Sequence, residues 1–209
     1  MSQNPSPFRT PRPSTFIASV GYAWNGLIHT VVHQRNMRMH IISAVLVGLV
    51  GSGIPLGLAE EVTLIFCVLL VLFAEMLNSA LEQLVDLAIQ QFDEKARLTK
   101  DAAAGGVLVL AIGTTVIFAA VLVHNADTVL QNLEAVQRQV MVGTPLTICA
   151  GILMHERKRP IVIDAIVFSV AMGLLAFTVS WSTSYVFSAM TFGMLVVAAA
   201  AARARKLGQ

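Results

Sequence analysis

VTLIFCVLLVLFAEMLNSAL, residues Val62–Leu81, is an almost unbroken apolar run with one carboxylate, Glu75, set inside it. A membrane-crossing helix needs about 20 mainly apolar residues, and this stretch supplies them. Five others come close: His40–Leu58, Ala102–His124, Gln139–Met154, Ile161–Ser180 and Tyr185–Ala202. The fourth in chain order is the shortest and carries Pro145, which removes a backbone donor and favours a kink. Composition agrees with the runs. The 209 residues are 56% hydrophobic and 12% charged, against about 25% charged in an average soluble domain. Too little polar surface remains to cover a water-soluble globule.

The placement of charge tests the count of crossings. With the N-terminus in the cytoplasm and six crossings, Arg9, Arg12, Arg35, Arg38, Lys95, Arg97, Lys100, Arg157, Lys158, Arg159, Arg203, Arg205 and Lys206 all fall on the cytoplasmic side. Only Arg138 falls opposite, as the positive-inside rule requires. Five crossings would put the last basic cluster outside. The expected fold is therefore all-α and polytopic, with about six transmembrane helices and both termini cytoplasmic. Residues 1–13, with Arg9, Arg12 and several prolines but no apolar core, read as a flexible tail and not a signal peptide.

Ahead of the first crossing, Ser14 to Asn36 reads as a helix of another kind. Phe16, Val20, Ala23, Leu27 and Val31 recur at helical spacing, with Tyr22 and Trp24 beside them and Arg35 and Arg38 closing the segment. That pattern suits an amphipathic helix lying in the cytoplasmic interface. The polar stretch Asp127–Gln139 marks a boundary, giving a unit at 14–125 and a C-terminal extension at 126–209. Cys67 and Cys149 sit in apolar runs with no metal-ligand or disulfide spacing and read as packing residues.

Beyond Leu81 the second span continues Glu82-Gln83-Leu84-Val85-Asp86. At about 100° per residue, Glu75, Asn78, Ser79, Glu82 and Asp86 share one face. A carboxylate at mid-membrane costs about 2.5–3.5 kcal/mol on insertion scales, so a stripe of three needs a purpose. Polar contact between helices explains an Asn or Ser; it explains two glutamates and an aspartate poorly. In the expected orientation the stripe climbs from the membrane interior to the cytoplasm. A carboxylate there can act on a lipid-borne group while others hold a divalent cation. The following segment, Gln91–Asp101, brings Lys95, Arg97 and Lys100 to the cytoplasmic side. Lys100 and Asp101 are placed at the start of the third span, where a helix N-terminus favours anions. No Gly-x-x-x-x-Gly-Lys-[Ser/Thr] motif is present, and Gly51-Ser52-Gly53 falls on the side away from cytosolic nucleotide.

Three blocks, Gly21-Tyr22-Ala23-Trp24-Asn25-Gly26-Leu27, Glu75-Met76-Leu77-Asn78-Ser79-Ala80-Leu81-Glu82 with Asp86, and Ala96-Arg97-Leu98-Thr99-Lys100-Asp101-Ala102-Ala103-Ala104, resemble the bacterial diacylglycerol kinase family, which includes the undecaprenol kinases. The resemblance covers roughly residues 14–125. It implies homotrimers of three-span subunits in the bacterial inner membrane, active sites between subunits, and ATP with Mg2+ arriving from the cytoplasm. It implies Glu75 as the base for the lipid hydroxyl with Asn78 beside it. Glu82 and Gln34 would be at the metal, and Tyr22, Gln34, Glu82, Asp86, Lys100 and Asp101 at ATP. Arg38 and Glu75 would be at the lipid. One departure stands out: where the family commonly has a metal-binding glutamate, this chain has Gln34, a poorer magnesium ligand. The neighbouring Arg35-Asn36-Met37-Arg38-Met39-His40 run leans toward the undecaprenol kinase branch, and His29, His33 and His40 read as structural.

The extension lies outside the resemblance. A lipid phosphatase domain, known in fusions with such kinases, would need a Pro-Ser-Gly-His block and a later histidine. Only Arg157-Lys158-Arg159-Pro160 is present, and no histidine follows His155. Asp164 is expected to pair with this basic loop. The leading function is ATP-dependent phosphorylation of a diacylglycerol or undecaprenol hydroxyl. A non-catalytic membrane scaffold is the alternative, and a transporter using Glu75 a distant third.

Overall fold

The computed structural model describes residues 15–156 and 159–207, and all their regular structure is α-helix. The tail at 1–13 and the basic residues Arg157 and Lys158 lie outside the described residues. The helices are α1 Phe16–His33, α2 Arg35–Ser52, α3 Leu58–Ala88, α4 Glu94–His124, α5 Ala126–Gln131, α6 Leu133–Met154, α7 Ile161–Ser180 and α8 Tyr185–Leu207. The class is a helical membrane protein. By length and composition α3, α4, α7 and α8 are apolar enough to cross a membrane. In α2 and α6 the expected crossings are diluted by polar first turns, Arg35, Asn36 and Arg38 in one and Glu134, Gln137 and Arg138 in the other.

Thr15 caps α1, its hydroxyl accepting from the Ala18 amide at 3.2 Å, and the extended backbone of Gln34 ends the helix. Only the second half of α1 packs, through Ile28, Thr30 and Val31. Phe16, Ile17, Val20, Tyr22 and Trp24 remain exposed. An apolar, unburied first half suits a helix resting in a membrane interface.

Helices α3 and α4 are each 31 residues long, about 46 Å at 1.5 Å per residue. A hydrocarbon core is about 30 Å thick, so roughly three turns of each project beyond it. The start of α4 corrects one expectation. The helix begins at Glu94, not Ala102, because the Asp93 carboxylate accepts from the amides of Lys95 and Ala96 at 2.8 and 3.0 Å. Lys100 and Asp101 therefore sit well inside α4. A helix dipole acts within the first turn, so it cannot explain anion binding at those residues.

Helices α2, α3, α4, α6, α7 and α8 alternate in direction, and each end of the bundle has its own ties. At one end the Thr183 amide and hydroxyl both donate to the Ser52 carbonyl, at 2.8 and 3.0 Å. Asn125 donates to Glu60 there at 2.8 Å, joining α4 to α3. Arg38, Asp86, Lys100, Glu156 and Arg205 gather at the other end. The extension is not a separate unit. Met37, Ile41, Val45 and Leu49 of α2 form one core with Leu146, Ala150 and Leu153 of α6 and Leu195, Ala198 and Ala201 of α8. Apolar lipid supplies no hydrophobic drive between helices, so close contact must hold them. Glycines permit it: a Cβ on Gly48 would stand 2.4 Å from Thr191 Oγ1, and one on Gly143 2.7 Å from Leu49 Cδ1. By contrast, α4 buries only Val107.

Helix α6 runs unbroken through Pro145 and is longer than expected. Its fully buried Gln139 donates to the Thr178 carbonyl at the end of α7 at 3.0 Å. Asp164 pairs with Lys206 of α8 at 2.5 Å, so its described partner comes from the last helix and not from the basic loop. Cys67 and Cys149 are free thiols, buried and half-buried.

Candidate active site

Val68, Val71, Glu75, Asn78 and Ser79 are buried along one face of α3. The apolar part of that face seats the helix against its neighbours and carries the polar part inward with it. Glu75 is 1% exposed, and neither of its carboxylate oxygens accepts a hydrogen bond from any described residue. Asn78 Oδ1 is likewise buried and unpartnered. Ser79 turns its hydroxyl back onto the Glu75 carbonyl at 2.9 Å, which satisfies it locally. One turn further on, Glu82 is gripped from both sides. Asn78 Nδ2 donates to Oε1 at 3.0 Å, and Gln34 Nε2, from the α1–α2 elbow, donates to Oε2 at 3.4 Å. At the projecting end, Lys100 of α4 pairs with Asp86 of α3.

The fold thus brings together Glu75, Asn78, Glu82 and Gln34, and separately Asp86 with Lys100. It does not bring in the other expected residues by contact. Tyr22 stands exposed on α1. Asp101 is held at 2.7 Å by Arg97, which also grips Glu94 at 2.5 Å. Arg38 turns away from Glu75: its Nη1 donates to the Val32 carbonyl at 2.8 Å and its Nη2 to Glu156 at 2.5 Å.

Two cavities flank the acidic face. One of about 530 Å³ lies between α1, α3 and α8, walled by Asn25, Gly26, His29, Met76, Ala80, Gln83 and Ala204. The other, about 270 Å³, lies between α2, α3 and α4 and combines His40, Ser43 and Thr115 with Val47, Val68, Val71 and Phe118. Val68 and Val71 share the face of Glu75, so this cavity lies along the apolar continuation of the acidic face. Burial and the neighbouring His33 ring, 4.1 Å away between centroids, lower the His29 pKa from its ordinary value. The shift favours the neutral form of this wall residue. Ala204 carried no signal in the sequence, because it meets Asn25 and Gln83 only when α8 is laid against α1 and α3.

Among the described residues, no three His, Cys, Asp or Glu side chains cluster to cage a metal. Magnesium does not require such a cage, being held by one or two carboxylates together with substrate phosphates. The buried free oxygen of Asn78 and the carboxylate of Glu82, which Asn78 and Gln34 hold, are hard oxygen donors, which fits that ion.

The fold and the site define a class: a helical membrane protein with a buried carboxylate on the face of α3 that leads to a charged helix end. The sequence model of prokaryotic diacylglycerol kinase matches residues 21–122. The chain is 37% identical over 102 residues to a diacylglycerol kinase of Synechocystis sp., covering 48% of this chain and 58% of that one. It is 31% identical over 102 residues to an undecaprenol kinase of Bacillus subtilis, covering 49% and 83%. It is 29% identical over 96 residues to a diacylglycerol kinase of Escherichia coli K12, covering 46% and 79%. No solved structure matches. The chain belongs to the prokaryotic diacylglycerol kinase family.

Proposed function

We propose that this protein transfers the γ-phosphoryl group of ATP to the hydroxyl of a membrane lipid, diacylglycerol or undecaprenol. The observation that carries the reading is Glu75: a fully buried carboxylate in a membrane-spanning helix, with both oxygens free to accept a proton. The relatives named as diacylglycerol and undecaprenol kinases support it.

In this reading the lipid body occupies the apolar cavity beside Val68 and Val71, with its hydroxyl at Glu75. Glu75 accepts the hydroxyl proton as the lipid oxygen forms its bond to the γ-phosphorus. The bond from that phosphorus to the β–γ bridging oxygen breaks, and ADP departs to the cytoplasm. Phosphoryl transfer asks mainly for positioning and charge neutralisation. Asn78 and Gln34 supply positioning by fixing Glu82. Magnesium, held by Glu82 with the amide oxygen of Gln34, would neutralise the phosphates. Lys100, freed from Asp86, would meet the triphosphate. We place the protein in the bacterial inner membrane with both termini cytoplasmic, and as a trimer by kinship.

The test is transfer of labelled γ-phosphate to diacylglycerol and to undecaprenol, assayed in parallel on protein in lipid. Labelled lipid from either substrate supports the reading and ranks the two. No transfer to either, from folded protein supplied with magnesium, refutes it. A second expectation concerns Lys100. Lys100→Ala removes a charge-assisted hydrogen bond worth about 1.5–3 kcal/mol, so the KM for ATP rises by on the order of tenfold or more. The KM for lipid stays unchanged in a two-substrate titration.

A further inference from the structure

We propose that Glu156, in the turn after α6, is a positioning residue for the kinase site, through which the C-terminal extension sets the α1–α2 elbow. The proposal rests on the kinase reading for its kinetic consequence, while its structural consequence is independent of it.

The path begins at Arg38. Its guanidinium spans two places, donating to the Val31 and Val32 carbonyls at the end of α1, at 3.4 and 2.8 Å, and to Glu156 Oε1 at 2.5 Å. Free carbonyls at a helix C-terminus need such partners. The next residues form the elbow. The Gln34 amide donates to the Thr30 carbonyl at 2.8 Å, and the Gln34 side chain reaches Glu82. Arg38 thus holds the turn from which Gln34 projects. Glu156 is itself anchored, because Arg205 of α8 donates to the carbonyls of Leu153, Met154 and His155. A continuous chain of contacts leads from α8, through the end of α6, to Glu82.

Charge shows why the carboxylate matters. The Arg38 side chain is 12% exposed, and the Arg205 guanidinium is a cationic neighbour. A shielded guanidinium beside a further cation needs an anion to stay in place, since a largely buried charge stripped of its partner is strongly disfavoured. Glu156, 72% exposed, provides that anion. It can also be substituted with no cavity left in the core.

Glu156→Gln keeps the shape and removes the charge. We expect the KM for ATP to rise by about five- to tenfold while kcat changes by less than about threefold, because loss of ground-state positioning appears in KM. Amide hydrogen exchange across residues 33–38 should accelerate by about tenfold, and Glu156→Asp should restore both readings most of the way. Three results would overturn the proposal: unchanged exchange at the elbow, a change confined to the KM for lipid, or a fall in kcat alone. The last is the mark of a smaller folded fraction. If the unaltered protein transfers no phosphate, the kinase reading fails and the exchange comparison still decides the elbow.

Discussion

Glu75→Gln abolishes phosphoryl transfer and leaves the fold standing. A positioned general base contributes about 10²–10⁴-fold to rate. Gln has the same shape but cannot take the hydroxyl proton. The loss should appear in single-turnover transfer to the lipid, with the KM for ATP little changed. Stability should hold or rise, because an intramembrane carboxylate without a partner is costly and a neutral amide is less so. Thermal unfolding in detergent checks that half of the expectation. A variant keeping more than about a tenth of the activity would remove Glu75 from the role of base.

The largest effect on stability is expected where α8 crosses α2. Phe187 is fully buried, and its ring lies over Gly51, where a Cβ would stand 2.7 Å from Cε2 and Cζ. Gly51→Leu must displace the ring or part the helices, at a cost of about 1–3 kcal/mol or more. Phe187→Ala leaves a void instead and costs about 3–5 kcal/mol by analogy with soluble cores. Each change destroys what the other needs. The double variant should therefore be less destabilised than the sum of the two, with a coupling of about 0.5–3 kcal/mol. Unfolding of the four proteins in mixed micelles measures it. Strict additivity would mean that the two residues do not share one contact.

Much of this protein is legible from residue order. The apolar runs, the basic residues between them and the 3.6-residue recurrence of Glu75, Asn78, Ser79 and Glu82 are local properties, and they survive in any packing. Expectation failed where a short-range competitor acted unseen. Asp93 caps α4 two turns ahead of the apolar run, so the helix absorbs Lys100 and Asp101 instead of starting beside them. Hydropathy marks where a helix enters lipid, whereas capping marks where it begins. Asp101 then answers to Arg97 on its own helix at i,i+4 spacing, a pairing that a single face already supplies.

The sequence alone determined that the chain is helical, apolar enough for a membrane, and marked by one acidic face on α3. The reason is that helical periodicity and transfer free energy depend on neighbours along the chain. Tertiary structure alone decided three things: that Glu82 is shared by Asn78 and Gln34, that Arg38 faces Glu156, and that the extension seats on α2. Those contacts join residues far apart in the chain, 118 positions for Arg38–Glu156 and 131 for Ser52–Thr183. Their partners are chosen by shape, Gly48 under Thr191 and Gly51 under Phe187, and that choice is made only when the helices meet.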